Sequence, residues 1–442
     1  MISTPQFMVA APSSHSGKTT VTLGLLRAFQ RKGRAVQPFK CGPDYLDTTH
    51  HTLAAGQQGI NLDLFMSSSH HVKYLYQKYC ENKEVVVVES VMGLYDGAVD
   101  DRDSSAAIAK LLQLPVILVV DARAMAYSAG ALVYGFKHFD PEINLVGVIF
   151  NFVRSASHYR FLRDACKKIG VTPLGYLPPE EKIKIPSRYL GLNIDATIDF
   201  DVIIDRTADH LEQHLDLDQL AKITRRPLPG KPGRHNSEAV NPEKVIAIAR
   251  DEAFRFTYHE NIETLKRLGK VVYFSPMHDT ELPNADFIYL AGGYPELHVQ
   301  ALAKNKEMLH AIRQYCLQGG YLLAECGGFM YLGRQVIDAE GQAHEMVNFF
   351  PSTTSMVDKK LTLGYRAFSW EHITWKGHEF HYSTLTGADN LPSVGGLFNA
   401  KQEPVGSKVY RKGNVMASYV HFYWAEQEDF LQQFIFTETV NK

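Results

Sequence analysis

At 442 residues the chain exceeds one ordinary hydrophobic core, so two or three domains are expected, with two as the starting count. With 45% hydrophobic and 21% charged residues, and no apolar run approaching the roughly 20 residues of a membrane helix, the composition argues against a membrane role. Lys plus Arg (46) nearly balance Asp plus Glu (48), so no strong field gathers nucleic acid or anionic lipid, and the expected partners are small molecules.

The opening MISTPQF runs straight into an apolar segment without the basic flank and cleavage site of a secretory signal, which points to a cytoplasmic location. Short β-branched runs then alternate with helical patterns: FMVAA (7–11), AVQPFK (35–40), VVVVES (85–90), VILVVDA (116–122) and LVGVIFNF (145–152), with amphipathic stretches such as 18–32 and 104–112 between them. Continuous apolar runs without a period of two suit strands covered on both faces, and their order reads as βαβ units around a parallel sheet. Residues 153–225, with a TPLGYLP strand, are expected at the edge of the same domain. The first domain is therefore set at 1–225. RPLPGKPGRHNSEAVNPE is too rich in Pro and Gly to pack, which gives a linker at 226–243. The α/β rhythm restarts in a second domain, 244–442, with VIAIAR (245–250), VVYFSP (271–276), FIYLAGG (287–293) and YLLAECGG (321–328).

Directly after the first strand, APSSHSGKTT (11–20) leads into a helical run. A phosphate loop needs backbone N–H groups facing polyphosphate, a helix N-terminus, a Lys and a Mg²⁺-binding hydroxyl. Ser14, Ser16, Gly17, Lys18, Thr19 and Thr20 supply these, although Pro12 stands where the usual pattern has Gly. ATP is thus the expected co-substrate, with Mg²⁺ held by Thr19 and Glu89. Glu89 ends a very apolar run, where a buried carboxylate needs a partner charge. Loops at the carboxyl ends of parallel strands form the binding crevice of such sheets. FKCGPDYLDTTHH (39–51), NLDLFM (61–66) and ESVMGLYDG (89–97) lie on that rim, so Lys40, Asp44, Tyr45, Asp47, Asp63, Glu89 and Asp96 are candidates for a synthetase site, against the plainer reading that individual acids cap turns.

The five cysteines, Cys41, Cys80, Cys166, Cys316 and Cys326, are odd in number and free of CxxC spacing, which disfavours disulfides and a zinc cluster. Cys326 ends an apolar strand and is followed by Gly327 and Gly328, the setting of a nucleophile on a strained strand-to-helix bend whose pKa a helix N-terminus would lower. Gly292 and Gly293 in LAGGYPELH, with Gly327, are the natural oxyanion donors. His421 is the candidate base, in competition with His378 and His381 of GHEFHYS, which read as a supporting strand or as plain surface histidines.

AAPSSHSGKTTVTLGLLRAF, KCGPDYLD, NLDLFM, ESVMGLYDG, SRYLGL, LAGGYPELH, AECGGFMYLG, GYR and GHEFHYS, in this order over essentially the whole chain, resemble the cobyrinate a,c-diamide synthase family of the cobalamin pathway. The resemblance implies an α/β protein: a dethiobiotin-synthetase-like P-loop domain followed by a class I glutamine amidotransferase-like, flavodoxin-like domain. It implies that glutamine and ATP-Mg convert the a and c acetates of cobyrinate or hydrogenobyrinate to amides through phosphorylated intermediates, with Cys326 as nucleophile and His421 activating it. It places Gly17, Lys18 and Thr19 in the phosphate loop and Asp44, Glu89 and Asp96 along the synthetase site. Class I amidotransferases usually carry Glu two residues after the His, where this chain has Tyr423. Without that carboxylate, glutaminase activity is expected to stay low until the synthetase site fills. Competing readings are a nickel sirohydrochlorin amidase, the less favoured cobyric acid synthase, and a nucleotide-switched binding module of the partitioning-ATPase type with a degenerate second domain. A homodimer is one assembly the sequence allows.

Overall fold

The computed structural model describes residues 3–185, 199–231, 233, 241–370, 373–428, 431, 432 and 434. The SRYLGL motif (187–192) and most of the expected linker lie outside them. The chain divides into two compact units, Met1–Leu64 with Ser68–Arg234, and Phe65–Ser67 with His235–Lys442. Asp63 of NLDLFM thus belongs to the first unit and Phe65 and Met66 to the second.

In the first unit the strands β1 (Ser3–Ala10), β2 (Val36–Cys41), β3 (Ile60–Leu62), β4 (Val85–Glu89), β5 (Val116–Asp121), β6 (Leu145–Asn151) and β7 (Thr172–Leu177) form a parallel sheet in the order β3-β2-β4-β1-β5-β6-β7. The TPLGYLP strand is its edge, as expected. A short β8 (Arg225–Pro227) pairs antiparallel with the start of β1, which carries two residues of the expected linker into the sheet. The strands are apolar throughout because both faces are covered. Met8, Val86 and Val88 pack under α3 (Ser69–Cys80), α4 (Ser105–Leu112), α5 (Ala129–His138) and α6 (Ala156–Ile169). Their neighbours Phe7, Val85 and Val87 pack under α1 (Lys18–Arg31), α2 (Tyr45–Ala55), α7 (Phe200–His214) and α8 (Leu217–Ile223). Parallel pairing brings the ends of β1, β2 and β4 into one row, with Lys40 opposite Glu89 and Val9 opposite Glu89 on its other side.

The second unit repeats the plan. β9 (Val245–Ala249), β10 (Phe254–Phe256), β11 (Lys270–Phe274), β12 (Phe287–Leu290), β13 (Gly292–Gly293) and β14 (Tyr321–Glu325) alternate with α9 (His259–Leu268), α10 (Val299–Lys304) and α11 (Lys306–Leu317). The main sheet runs β11-β9-β12-β14 in parallel and continues through the strands Val415–Ser418 and Val409–Lys412. α12 (Gly327–Leu332) follows β14 directly. An aromatic hairpin, Thr362–Trp370 and Ile373–His381, pairs with the strand Val420–Tyr423 and buries Phe368, Trp375, Phe422 and Trp424 together. Among the described residues no helix is long and apolar enough to cross a membrane.

Candidate functional site

The loop after β1 turns through His15 (φ 65°) and Gly17 (φ 88°), and Gly17 caps the start of α1. Only glycine fits there. A Cβ would stand 2.2 Å from Nδ2 of Asn151, which donates instead to the Ser16 carbonyl at 3.0 Å. Asn151, at the end of β6, was not singled out in the sequence, where it stands within the strand-like run LVGVIFNF. The Ser16 hydroxyl donates to the Ser13 carbonyl (2.9 Å), while Ser14 is exposed and Thr20 half-buried. Lys18 is buried, and desolvation, followed by the Lys40 charge, holds its pKa below the usual range.

Glu89, fully buried at the end of β4, organises the rim. Its Oε1 accepts from Thr19 Oγ1 at 2.6 Å and from Lys40 Nζ at 2.9 Å, and its Oε2 lies 2.6 Å from His51 Nε2. Lys40 also reaches Asp47 Oδ2 (2.7 Å) and donates to the Ser90 carbonyl (3.1 Å). Burial opposes both charges. It would lower the Lys40 pKa, yet Asp47 and Glu89 raise it; it would raise that of Glu89, yet Lys40 brings it down to about 2. The partner charge expected for Glu89 is therefore Lys40. His51 was not singled out in the sequence, although it sits four residues after Asp47 and hence on the same helical face.

The other acids are used locally. Asp44 caps α2, accepting from Leu46 N (2.8 Å) and Asp47 N (2.9 Å), and Tyr45 begins that helix half-buried. Asp96 closes a tight turn by accepting from Gly93 N at 2.9 Å, and Asp63 is buried. The plainer reading thus fits Asp44 and Asp96 in part, without removing either from the rim. Among the described residues no group of three His, Cys, Asp or Glu forms a metal cluster.

In the second unit Cys326 has φ 45° and ψ −103°, a conformation costly for a residue with a Cβ, at the junction of β14 and α12. Its backbone N donates to the Ser418 carbonyl at 2.7 Å, which ties this junction to the strand leading into His421. The glycines allow close packing here. A Cβ on Gly292 would stand 2.0 Å from His421 Cε1; one on Gly327 would stand 2.7 Å from Pro295 Cδ and 3.0 Å from Gly293 N. Gly292, Gly293, Gly327, Cys326 and His421 are thus brought together. We expect Gly292→Ala to push the imidazole aside and cut glutamine hydrolysis by roughly 10²-fold, with little change in thermal unfolding; steady-state kinetics beside calorimetry checks both.

The strand of His421 is pinned from both sides by side chains that sequence reading passed over. Glu325 accepts from Phe422 N (3.0 Å) and from the Tyr289 hydroxyl (2.7 Å). Asn261 donates to the Phe422 carbonyl (2.7 Å) and accepts from Trp424 N (3.0 Å). Burial lifts the Glu325 carboxyl to about 8. His378 pairs directly opposite His421, and His381 stacks on Tyr419 with ring centroids 4.0 Å apart, so neither is a plain surface histidine. Tyr423 stands edge-on to Tyr258. Glu379, bound by Arg366 (2.6 Å), Ser407 (2.7 Å) and His381 (3.1 Å), is the carboxylate whose charge favours protonation of His421.

Burial, then the neighbouring His378, depresses His421 to about 3, so its ring is neutral and able to accept a proton. The expected lowering of the Cys326 pKa does not hold. Burial pushes the thiol up, with Glu296 adding to the rise, and the Gly327 N–H at the start of a six-residue helix offsets little of it. At rest the thiol and the imidazole are both neutral.

Comparisons with known proteins match both units. Residues 7–192 match the CobQ/CobB/MinD/ParA nucleotide binding domain, and residues 245–429 match the CobB/CobQ-like glutamine amidotransferase domain. The hydrogenobyrinate a,c-diamide synthase of Brucella abortus is 40% identical over 426 residues, covering 94% of this chain and 97% of the relative. The cobyrinate a,c-diamide synthase of Salmonella typhimurium is 38% identical, covering 97% of each chain, and that of Streptococcus sanguinis is 37% identical, covering 97% of this chain and 98% of its own. A nucleotide-binding domain and a glutamine amidotransferase domain, in a chain matched end to end at this identity, place it in the cobyrinate and hydrogenobyrinate a,c-diamide synthase family of glutamine-dependent, amide-forming ligases.

Proposed function

We propose that the chain converts the a and c acetate carboxylates of cobyrinate, or of metal-free hydrogenobyrinate, into amides, using ATP and ammonia released from glutamine. The observation that carries the chemistry is the positive-φ Cys326 at the β14–α12 junction, with Gly292 leaving room for His421 and Gly327 closely packed on the Gly293 backbone. In the second unit His421 takes the thiol proton as sulfur attacks the glutamine amide. The backbone N–H groups of Gly293 and Gly327 receive the oxyanion, the proton passes to the departing nitrogen, and water then splits the thioester to glutamate. In the first unit the acetate oxygen takes the γ-phosphoryl of ATP, ADP leaves, ammonia adds to the acyl carbon, and phosphate departs to give the amide.

Lys18 and the loop amides face the phosphates, and Lys40, fixed by Asp47 and Glu89, is a cation that needs no rearrangement during transfer. Thr19 Oγ1 and Glu89 Oε1, 2.6 Å apart, are two hard oxygens that would hold the Mg²⁺ of ATP-Mg. Two protein oxygens suit an ion that keeps waters and phosphates as its remaining ligands, and it would neutralise phosphate charge there. Candidate tetrapyrrole acids, nickel sirohydrochlorin included, incubated with ATP, Mg²⁺ and glutamine and followed by mass spectrometry, test the reading. We expect the corrinoid acids alone to emerge with two carboxyls replaced by amides; diamidation of the nickel compound alone would move the assignment to that substrate.

A further inference from the structure

The loop that supplies Gly292 and Gly293 also carries a carboxylate that the reaction above leaves unused. Glu296, three residues beyond Gly293, has its Oε2 sealed from solvent and without a hydrogen-bond partner. Its position is fixed by the same close packing that forms the site, since Pro295 and the Gly293 backbone press against Gly327, the residue after the nucleophile. It acts on the site electrostatically, as the largest charge bearing on Cys326 and one that also bears on Tyr419.

A buried carboxylate oxygen left without a donor is unfavourable unless a ligand completes it. Burial accordingly raises the Glu296 carboxyl to about 7, with only its own backbone N–H and Lys359 working the other way. An amide-hydrolysing thiol acting on a free amino acid must meet a cation. Glutamine carries an α-ammonium at the far end of the side chain whose amide is attacked, within a few bond lengths of the thiol. We infer that Glu296 is the residue that receives the α-ammonium of glutamine and so restricts this site to the free amino acid. The inference rests on the assignment of Cys326 as the glutaminase nucleophile. Burial is the main reason the resting thiol is protonated and the Glu296 charge adds to it; the incoming ammonium removes that second contribution.

The test compares kcat/KM for glutamine with that for 4-carbamoylbutanoate, which is glutamine without its amino group, in wild type and in Glu296→Gln. Because the ratio is taken within one preparation, partial misfolding cancels. We expect wild type to favour glutamine strongly, Glu296→Gln to lose roughly 10- to 100-fold of that preference mainly through KM, and Glu296→Asp, which keeps the charge, to recover part of it. An unchanged preference in Glu296→Gln would overturn the inference while leaving Cys326 in place. Undiminished glutamine hydrolysis by Cys326→Ser would overturn the assignment of the nucleophile and the inference with it.

Discussion

Replacing Cys326 with serine will lower glutamine-dependent amide synthesis by at least about 10³-fold, while amidation supplied with ammonium chloride continues at the wild-type rate. The split follows from where each residue lies. Cys326, His421 and the three glycines all belong to the second unit, whereas the phosphate loop and the Lys40–Glu89 cluster belong to the first. Serine preserves the shape of the bend and its hydrogen bond to Ser418, so the loss reports chemistry and not folding. It also removes the more acidic of two hydrogens in a site that already resists ionisation, because burial and Glu296 raise the pKa of the thiol. His421, neutral to about pH 3, is a modest base for a thiol and a poor one for a hydroxyl. Release of glutamate and formation of amide, measured side by side with each nitrogen source, checks the result. Equal loss with both sources would mean that the thiol serves the first unit as well.

Much of the scaffold was legible because the strands are apolar on both faces. VVVV at 85–88 alternates between the two layers of helices, a pattern that only a sheet covered on both sides requires. The two bends that carry chemistry, SGKT and ECGG, were legible because each places small residues where a Cβ would collide with Asn151 or with Pro295. What escaped was whatever depends on partners distant in sequence. Glu325 drew no reading from sequence, because its partner Phe422, which donates to it, lies 97 residues away. The thiol pKa was misjudged because the pull of a helix N-terminus can be read locally, while desolvation depends on everything packed around the sulfur. Asp44 and Asp96 show the converse. Both lie on the predicted rim, yet a cap and a tight turn already use their oxygens, and composition does not distinguish these uses.

Glu89→Gln should remove amidation with either nitrogen source, by at least about 10²-fold, which sets it apart from any change at Cys326. Glu89 lies where three groups meet: the Thr19 hydroxyl of the phosphate loop, the Lys40 ammonium and the His51 ring, at 2.6, 2.9 and 2.6 Å. An amide of the same shape can still accept from Thr19 and Lys40, but it lacks the negative charge that offsets buried Lys40, and its NH2 obliges His51 Nε2 to act as acceptor. Lys40 then loses one of the two carboxylates it contacts among the described residues, in a buried setting, at a stability cost of about 2–4 kcal/mol. The pH dependence gives an independent readout. The Glu89 pKa falls from its ordinary 4.5 to about 2 in the folded protein, so its contribution to stability is full above the unfolded value and disappears as pH drops through that window. Chemical denaturation of wild type between pH 5 and pH 2 should therefore show a steep loss that Glu89→Gln flattens, and equal slopes would mean that the Lys40–Glu89 pair contributes little to holding the rim together.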